Sequence, residues 1–243
     1  MHTPKPHPRA VESSAACARL VQAGDLDGAE TQCELGLEFA PHWGDLWVNK
    51  GLVHLGRGQR REAKEAFQRA LQLNPDQAQA HNDLGLVLRA EGQRAAARES
   101  FLAALRVDPD YAEARYNLAL VLQEGGERGR AREEYLKLVA VSASPSATRD
   151  FGALARHDLG AMDFADRQYA RSERLFRQVV EDAAAPASLR ARAHLGLGLA
   201  LLAQGRAAEA GASLEHCLGE ASVAAPCAEA REEVRQAGAA PAP

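Results

Sequence analysis

The side chains with most chemical potential in this 243-residue chain are eight histidines, four cysteines and 33 acidic residues. Such groups act as general acids and bases, metal ligands or nucleophiles when their spacing brings several to one point. The sequence contains no HExxH, GxSxG or P-loop pattern. LGLGLALL at 195–202 has the glycines of a nucleotide loop, but it lies inside a helical pattern with no preceding strand. Cys17, Cys33, Cys217 and Cys227 show no CxxC spacing and no histidine at metal-ligand distance in sequence, which argues against a zinc site. The acidic pairs Glu133–Glu134 and Glu232–Glu233 read as solvated helix faces, and His81 and His194 as packed imidazoles. The expectation is a protein that is not an enzyme, with no catalytic residue, no metal and no cofactor.

Composition narrows the class further. Lys+Arg 29 against Asp+Glu 33 gives a net charge of -4, without the basic excess that draws a protein to nucleic acid or an anionic membrane. The mean hydropathy is -0.33, and no apolar run approaches the roughly 20 residues needed to span a bilayer. Aromatics make up only 5%, so the core is built from Leu, Val and Ala, which suits closely packed helices. Lys5, Lys50, Lys64 and Lys137 are the only lysines among the 29 basic residues, an Arg and Ala bias resembling that of GC-rich bacterial genomes.

What positions any functional side chain here is a period. Pro41, Pro75 and Pro109 fall 34 residues apart, as do Ala29, Ala63, Ala97 and Ala131, and Gly24, Gly58, Gly92 and Gly126. In the third unit Leu84 and Leu88 share one helical face. Gly85 and Ala97 are small where two antiparallel helices approach closely. Gly92 ends the first helix at a position that commonly needs positive φ, and Pro109 stops the second. A helix of about 12 residues cannot hide its apolar stripe alone, so the hairpins must stack.

The second unit reads Trp47, Gly51, His54, Ala63, Phe67, Ala70, Pro75, and the third His81, Leu84, Gly85, Leu88, Ala97, Phe101, Ala104, Pro109. This resembles the tetratricopeptide repeat, a 34-residue helix–turn–helix patterned W-x2-L-G-x2-Y, A-x3-F, P. The resemblance implies an all-α, right-handed superhelical solenoid over residues 10–237. Its repeats are 10–43, 44–77, 78–111, 112–145, 153–186 and 191–224, with a cap at 227–237. Insertions are expected at 146–152 and 187–190, and disordered ends at 1–9 and 238–243. Repeat one is degenerate, and repeat five carries Arg167 where the turn glycine belongs and Ser172 in place of Ala.

In the resembled family the first helices line a groove for partners. At repeat position 6 stand Asn49, Asp83, Asn117 and Asp158. They look like the asparagine ladder with which glycosyltransferase-type superhelices grip a peptide backbone, although Asp accepts and cannot donate. The alternative is that they bond neighbouring helix ends or water. Positions 5, 9 and 12 form one apolar face, Val48, Leu52 and Leu55 in repeat two and Leu195, Leu199 and Leu202 in repeat six. Leu86, Arg89, Tyr116, Leu120, Ala161 and Phe164 occupy the same face in repeats three to five. The expected partner-binding groove comprises Val48, Asn49, Leu52, Leu55, Asn82, Asp83, Leu86, Arg89, Tyr116, Asn117, Leu120, His157 and Asp158. The carboxylate clamp of chaperone-adaptor tetratricopeptide domains is not matched, since Ser14 and Ala18 fill two of its slots.

The resemblance thus implies a protein-interaction scaffold or adaptor, whose partner is a protein or peptide rather than nucleic acid, without membrane insertion. Two alternatives stand beside it, a pilotin-like factor for type IV pilus and secretin assembly, and the recognition arm of a separate glycosyltransferase. As written the chain has no secretory leader, so the cytoplasm is expected, or the periplasm or outer membrane if a leader was removed. Cys17 with Cys33, and Cys217 with Cys227, lie close enough in the hairpin pattern to bridge at each end. Packing as small buried thiols is the favoured expectation.

Overall fold

The computed structural model describes residues 7–141 and 149–239. The described residues form thirteen α-helices and no strand. The chain divides between Glu127 and Arg128 into two compact units. The N-terminal unit holds α1 (Pro8–Ala23), α2 (Leu26–Phe39), α3 (Gly44–Gly56), α4 (Arg60–Leu73), α5 (Ala78–Ala90), α6 (Arg94–Val107) and α7 (Ala112–Glu124). The C-terminal unit holds α8 (Arg128–Val141), α9 (Arg149–Ala165), α10 (Tyr169–Glu181), α11 (Ala187–Leu202), α12 (Ala207–Glu215) and α13 (Ala224–Ala239). In each unit every helix packs on its sequence neighbours, and the first helices α1/α3, α5/α7 and α9/α11 also touch.

The turn between the two helices of a hairpin recurs with one geometry. Gly24, Gly58, Gly92, Gly126 and Gly205 all have φ between 74° and 80°. At each turn the next residue's N–H reaches back to a carbonyl five residues earlier, as in Gln59 N to His54 O at 2.9 Å and Gln93 N to Leu88 O at 2.8 Å. This pattern satisfies the carbonyls left open at a helix C-terminus. Arg167 fills the same place with φ 58°, and Gln168 N still reaches Asp163 O at 2.8 Å. The turn therefore survives without glycine, at the steric cost of a Cβ in the left-handed region.

Within a hairpin the two helices close on a small residue facing a large one. A Cβ on Gly51 would lie 2.5 Å from the Phe67 ring, and one on Gly85 2.6 Å from Phe101. Gly160 faces Phe176 and Gly198 faces Leu214 in the same way. All four pairs are 16 residues apart, and so are Cys17 and Cys33. Those two cysteines are disulfide-bonded, with Cα atoms 5.5 Å apart. The bridge fills the space that a phenyl ring takes in other hairpins. Cys217 and Cys227 form a second disulfide that ties the end of the α12 segment to α13. The expected buried thiols are thus corrected to two cross-links, and both sit at full burial.

Some boundaries differ from the periodic frame. Helix α1 starts at Pro8, because Pro is well suited to the first helical turn; residues 1–6 of the expected disordered arm lie outside the described residues. Residues 142–148, which include the first three residues of the first expected insertion, also lie outside them, while 149–152 are the first turn of α9. The second expected insertion, 187–190, is the first turn of α11, opened by Pro186. The cap begins at Ala224 rather than Cys227 and continues to Ala239; residues 240–243 of the expected tail lie outside the described residues. Repeat 112–145 contributes α7 to one unit and α8 to the other.

Candidate functional site

In the N-terminal unit the first helices are joined by polar rungs. The Asn49 amide donates to the Ser14 carbonyl at 3.1 Å and to Ser14 Oγ at 3.0 Å. The Asn117 amide donates to Asn82 Oδ1 at 2.9 Å, and the Asn82 amide donates to Glu113 Oε1 at 3.2 Å and Asp83 Oδ1 at 3.3 Å. Residues 14 and 49, and 82 and 117, are each 35 apart, so a residue at position 5 of one repeat serves position 6 of the next. The same register sets Val48 opposite Asp83. An aliphatic side chain offers no donor, and the buried Asp83 Oδ2 accepts no hydrogen bond from any described residue. Burial is the main reason that Asp83 is pushed up to about 7, and the nearby Glu113 carboxylate adds to it against hydrogen bonds from Asn82 and Gln79. Tyr111 is also pushed up, by burial first and then by Glu113 and Asp83.

The ladder residues are thus engaged within the protein. Asn82, Asp83 and Asn117 are buried, and Asn49 and Asn117 have spent amide hydrogens on neighbouring helices. Val48, expected in the groove, belongs to the core, where it clusters with Phe67, Ala80 and Val87. Leu52 and Leu55 lie half-buried against that same cluster. Leu86, Tyr116 and Leu120 are half-buried, and Arg89 is held by an ion pair to Glu124. His157 and Asp158 belong to the C-terminal unit, with His157 Nδ1 3.0 Å from Asp158 Oδ1.

The C-terminal unit carries an apolar cavity of 280 Å³ between α9 and α11. One wall is His157, Ala161 and Phe164, spaced i, i+4 and i+7 along α9. The other is Arg192, Leu195, Gly196 and Leu199, spaced i, i+3, i+4 and i+7 along α11. These spacings put each set on one helical face. Phe176 of α10 forms the floor, its ring edge-on to His157 at 5.6 Å. The space exists because of side chains that are missing. A Cβ on Gly196 would overlap the Phe176 ring, and Ala161 reaches only to the rim. From behind, Leu195 and Leu199 rest on the cluster containing Leu214, the disulfide of Cys217 and Cys227, and Ala230.

Polar groups around this cavity are unevenly distributed. Helix α11 carries no acidic residue, and of its basic groups Arg192 lines this cavity while Arg190 and His194 line a separate pocket with His216. His194 stacks on His216 at 4.8 Å, and burial, His216 and Arg190 together hold its pKa below the usual histidine value. His157 and its neighbour Asp158 form an imidazole–carboxylate pair at the α9 wall, and no group of three or more metal-ligating side chains occurs among the described residues. The cavity's chemistry is that of an apolar slot with a cationic margin.

Tetratricopeptide repeat profiles match residues 48–93 and 163–225, and a related TPR repeat profile matches 85–126. The chain belongs to the tetratricopeptide repeat family. Among curated proteins none matches the sequence. Solved tetratricopeptide structures are similar in fold. PilF of Pseudomonas aeruginosa superposes with a TM-score of 0.78 at 15% identity, covering 93% of this chain and 97% of PilF. PilW, a type IV pilus biogenesis factor, gives 0.71 at 19% identity, covering 94% and 99%. YrrB, described as a tetratricopeptide protein with an unusual peptide-binding site, gives 0.61 at 17% identity, covering 82% and 97%. The tetratricopeptide fold generally serves as a scaffold for protein interaction rather than as a catalytic framework. No helix among the described residues is long and apolar enough to cross a membrane.

The groove expected from the sequence lies mainly in repeats two to four and omits Arg192, Gly196 and Phe176. The signal for the cavity is present in its walls, since positions 5, 9 and 12 of repeats five and six are His157, Ala161, Phe164, Leu195, Leu199 and Leu202, and in the absence of acidic residues from 187–202.

Proposed function

We propose that the chain is a non-enzymatic scaffold that binds a peptide or helix of a partner protein against its first-helix faces. The observation that carries this reading is the solvent-open apolar cavity between α9 and α11, at repeat positions where a soluble surface would ordinarily be polar. Half-buried Leu86 and Leu120 extend the same class of surface to the N-terminal unit. Covering such a surface contributes about 25 cal/mol per Å², before the costs of association. The test is affinity capture on the immobilised chain with quantitative mass spectrometry, comparing wild type with Leu86→Glu/Leu120→Glu and with Leu199→Glu. The reading expects at least one specific partner to be lost from a variant that keeps its helical circular dichroism. Retention of every partner by both folded variants overturns it.

A narrower reading is a role in type IV pilus or secretin assembly. It is supported by two disulfides, which persist in oxidising compartments such as the bacterial periplasm, and by the end-to-end likeness to PilF and PilW. It moves the expected address from the cytoplasm to the periplasm. Pilus assembly in a deletion strain, with and without the complementing gene, is the direct test. The glycosyltransferase-arm reading lacks comparable support, because the amides of Asn49 and Asn117 are occupied within the fold.

A further inference from the structure

We infer that the cavity between α9 and α11 takes one large apolar side chain of a partner segment whose neighbouring residues are acidic. This rests on the protein-binding reading above and specifies the chemistry of the partner. The apolar half follows from the lining, in which Phe164, Phe176, Leu195 and Leu199 surround a slot left open by Gly196. A volume of 280 Å³ suits a single aromatic or long aliphatic anchor rather than a whole helix face.

The acidic half follows from charge that has no internal partner. Arg192 is exposed at the mouth and makes no ion pair among the described residues. Arg190, two residues earlier, faces a separate pocket with His194 and His216, so Arg192 is the charge that this mouth presents. No carboxylate lines this cavity beside Arg192, and three carboxylates of the same unit have other partners. Asp158 lies against His157, Asp182 is 3.9 Å from Arg156, and Glu173 is held by Arg177 and Arg206. Arg over Lys at this margin suits carboxylate recognition, because its planar fork can donate to both oxygens of one acid. An unpaired rim charge governs partner choice and encounter more than total affinity.

The spacing gives a register. At 1.5 Å per residue, Arg192 lies about 10 Å along the α11 axis from Leu199 and about 5 Å from Leu195. An extended segment advances about 3.3 Å per residue. The acidic residue therefore stands about two or three positions from the anchor, on the side toward the N-terminus of α11.

The experiment is selection of a random phage-displayed peptide library on the immobilised full chain. One enriched peptide is then synthesised with a fluorophore and titrated by anisotropy against wild type, Ala161→Trp, Arg192→Glu and Arg192→Lys. Ala161 and Arg192 are both exposed, so none of these changes enters the core. The inference expects enrichment of Phe, Trp, Leu or Met with Asp or Glu two or three positions away. It also expects about tenfold weaker binding to Ala161→Trp and to Arg192→Glu, with Arg192→Lys in between. Repeating the selection on Arg192→Glu should replace the acidic neighbours by basic ones. Enriched peptides without acidic neighbours, or peptides indifferent to both variants, overturn the inference and leave the protein-binding reading in place. Absence of any enrichment counts against both.

Discussion

Replacing Asp83 by Asn probes the one broken rung in the N-terminal unit. Asp83 in the fold titrates near 7, against 3.8 for the free side chain. The folded state therefore favours the neutral acid. Stability from this group is fully present below the unfolded value and is lost as pH rises through 3.8 toward about 7. Each pK unit is worth 1.36 kcal/mol, so the full loss is about 4 kcal/mol. The carboxamide introduced by Asp83→Asn cannot ionise, and its NH2 supplies a donor in place of the buried orphan Oδ2. Urea unfolding of wild type and Asp83→Asn, followed by circular dichroism across pH, isolates the contribution because all other groups are shared. The variant should match wild type within about 0.5 kcal/mol near pH 4 and exceed it by about 4 kcal/mol near pH 8. Val48→Thr attacks the same rung from the other side. A hydroxyl donor facing Asp83 should lower its pKa and flatten the wild-type pH dependence. A difference between Asp83→Asn and wild type that stays constant over this range refutes the argument.

Two further outcomes follow from the turns and the cross-links. Arg167→Gly removes a Cβ from a residue at φ 58° and should stabilise the C-terminal unit by about 0.5–1 kcal/mol, read as a higher unfolding midpoint; a lower midpoint contradicts the left-handed assignment. The disulfides close loops with sequence separations of 16 and 10, for which chain entropy predicts about 3 kcal/mol each. Reduction with dithiothreitol should lower the midpoint by several degrees and raise hydrogen exchange in α1–α2 and α12–α13 first. Equal stability with and without reductant, at intact mass showing the bridges, would contradict this.

The hairpins were legible because one period carries two separate structural jobs. Glycine at 24, 58, 92 and 126 turns the chain with positive φ, and small residues at 51 and 85 admit Phe67 and Phe101. Arg167 was readable as a departure, but that it would hold the same φ was not, since surrounding packing decides whether strain is tolerated. The pairing of Cys17 with Cys33 was legible in the sequence, but small buried thiols were favoured over the bridge. Paired, they fall on the Gly51–Phe67 positions of the first repeat, where side chains are forced to meet. Position 6 was recognised as a polar ladder, yet its partners lie 35 residues away at position 5, and a sequence shows separation without showing contact. The cavity was the least legible part. It arises from side chains that are absent at Gly196 and Ala161, and a pattern of residue types announces what fills space more readily than what leaves it open.

The most direct measurement places a photo-crosslinking benzoylphenylalanine at Ala161, on the cavity rim, or at Arg174, exposed on α10. Both variants are irradiated in the producing cell. If the first-helix face receives partners, Ala161 yields a discrete protein adduct that Leu199→Glu abolishes, and Arg174 yields none. A discrete adduct from Arg174 alone, or the same adducts from both positions, contradicts the account.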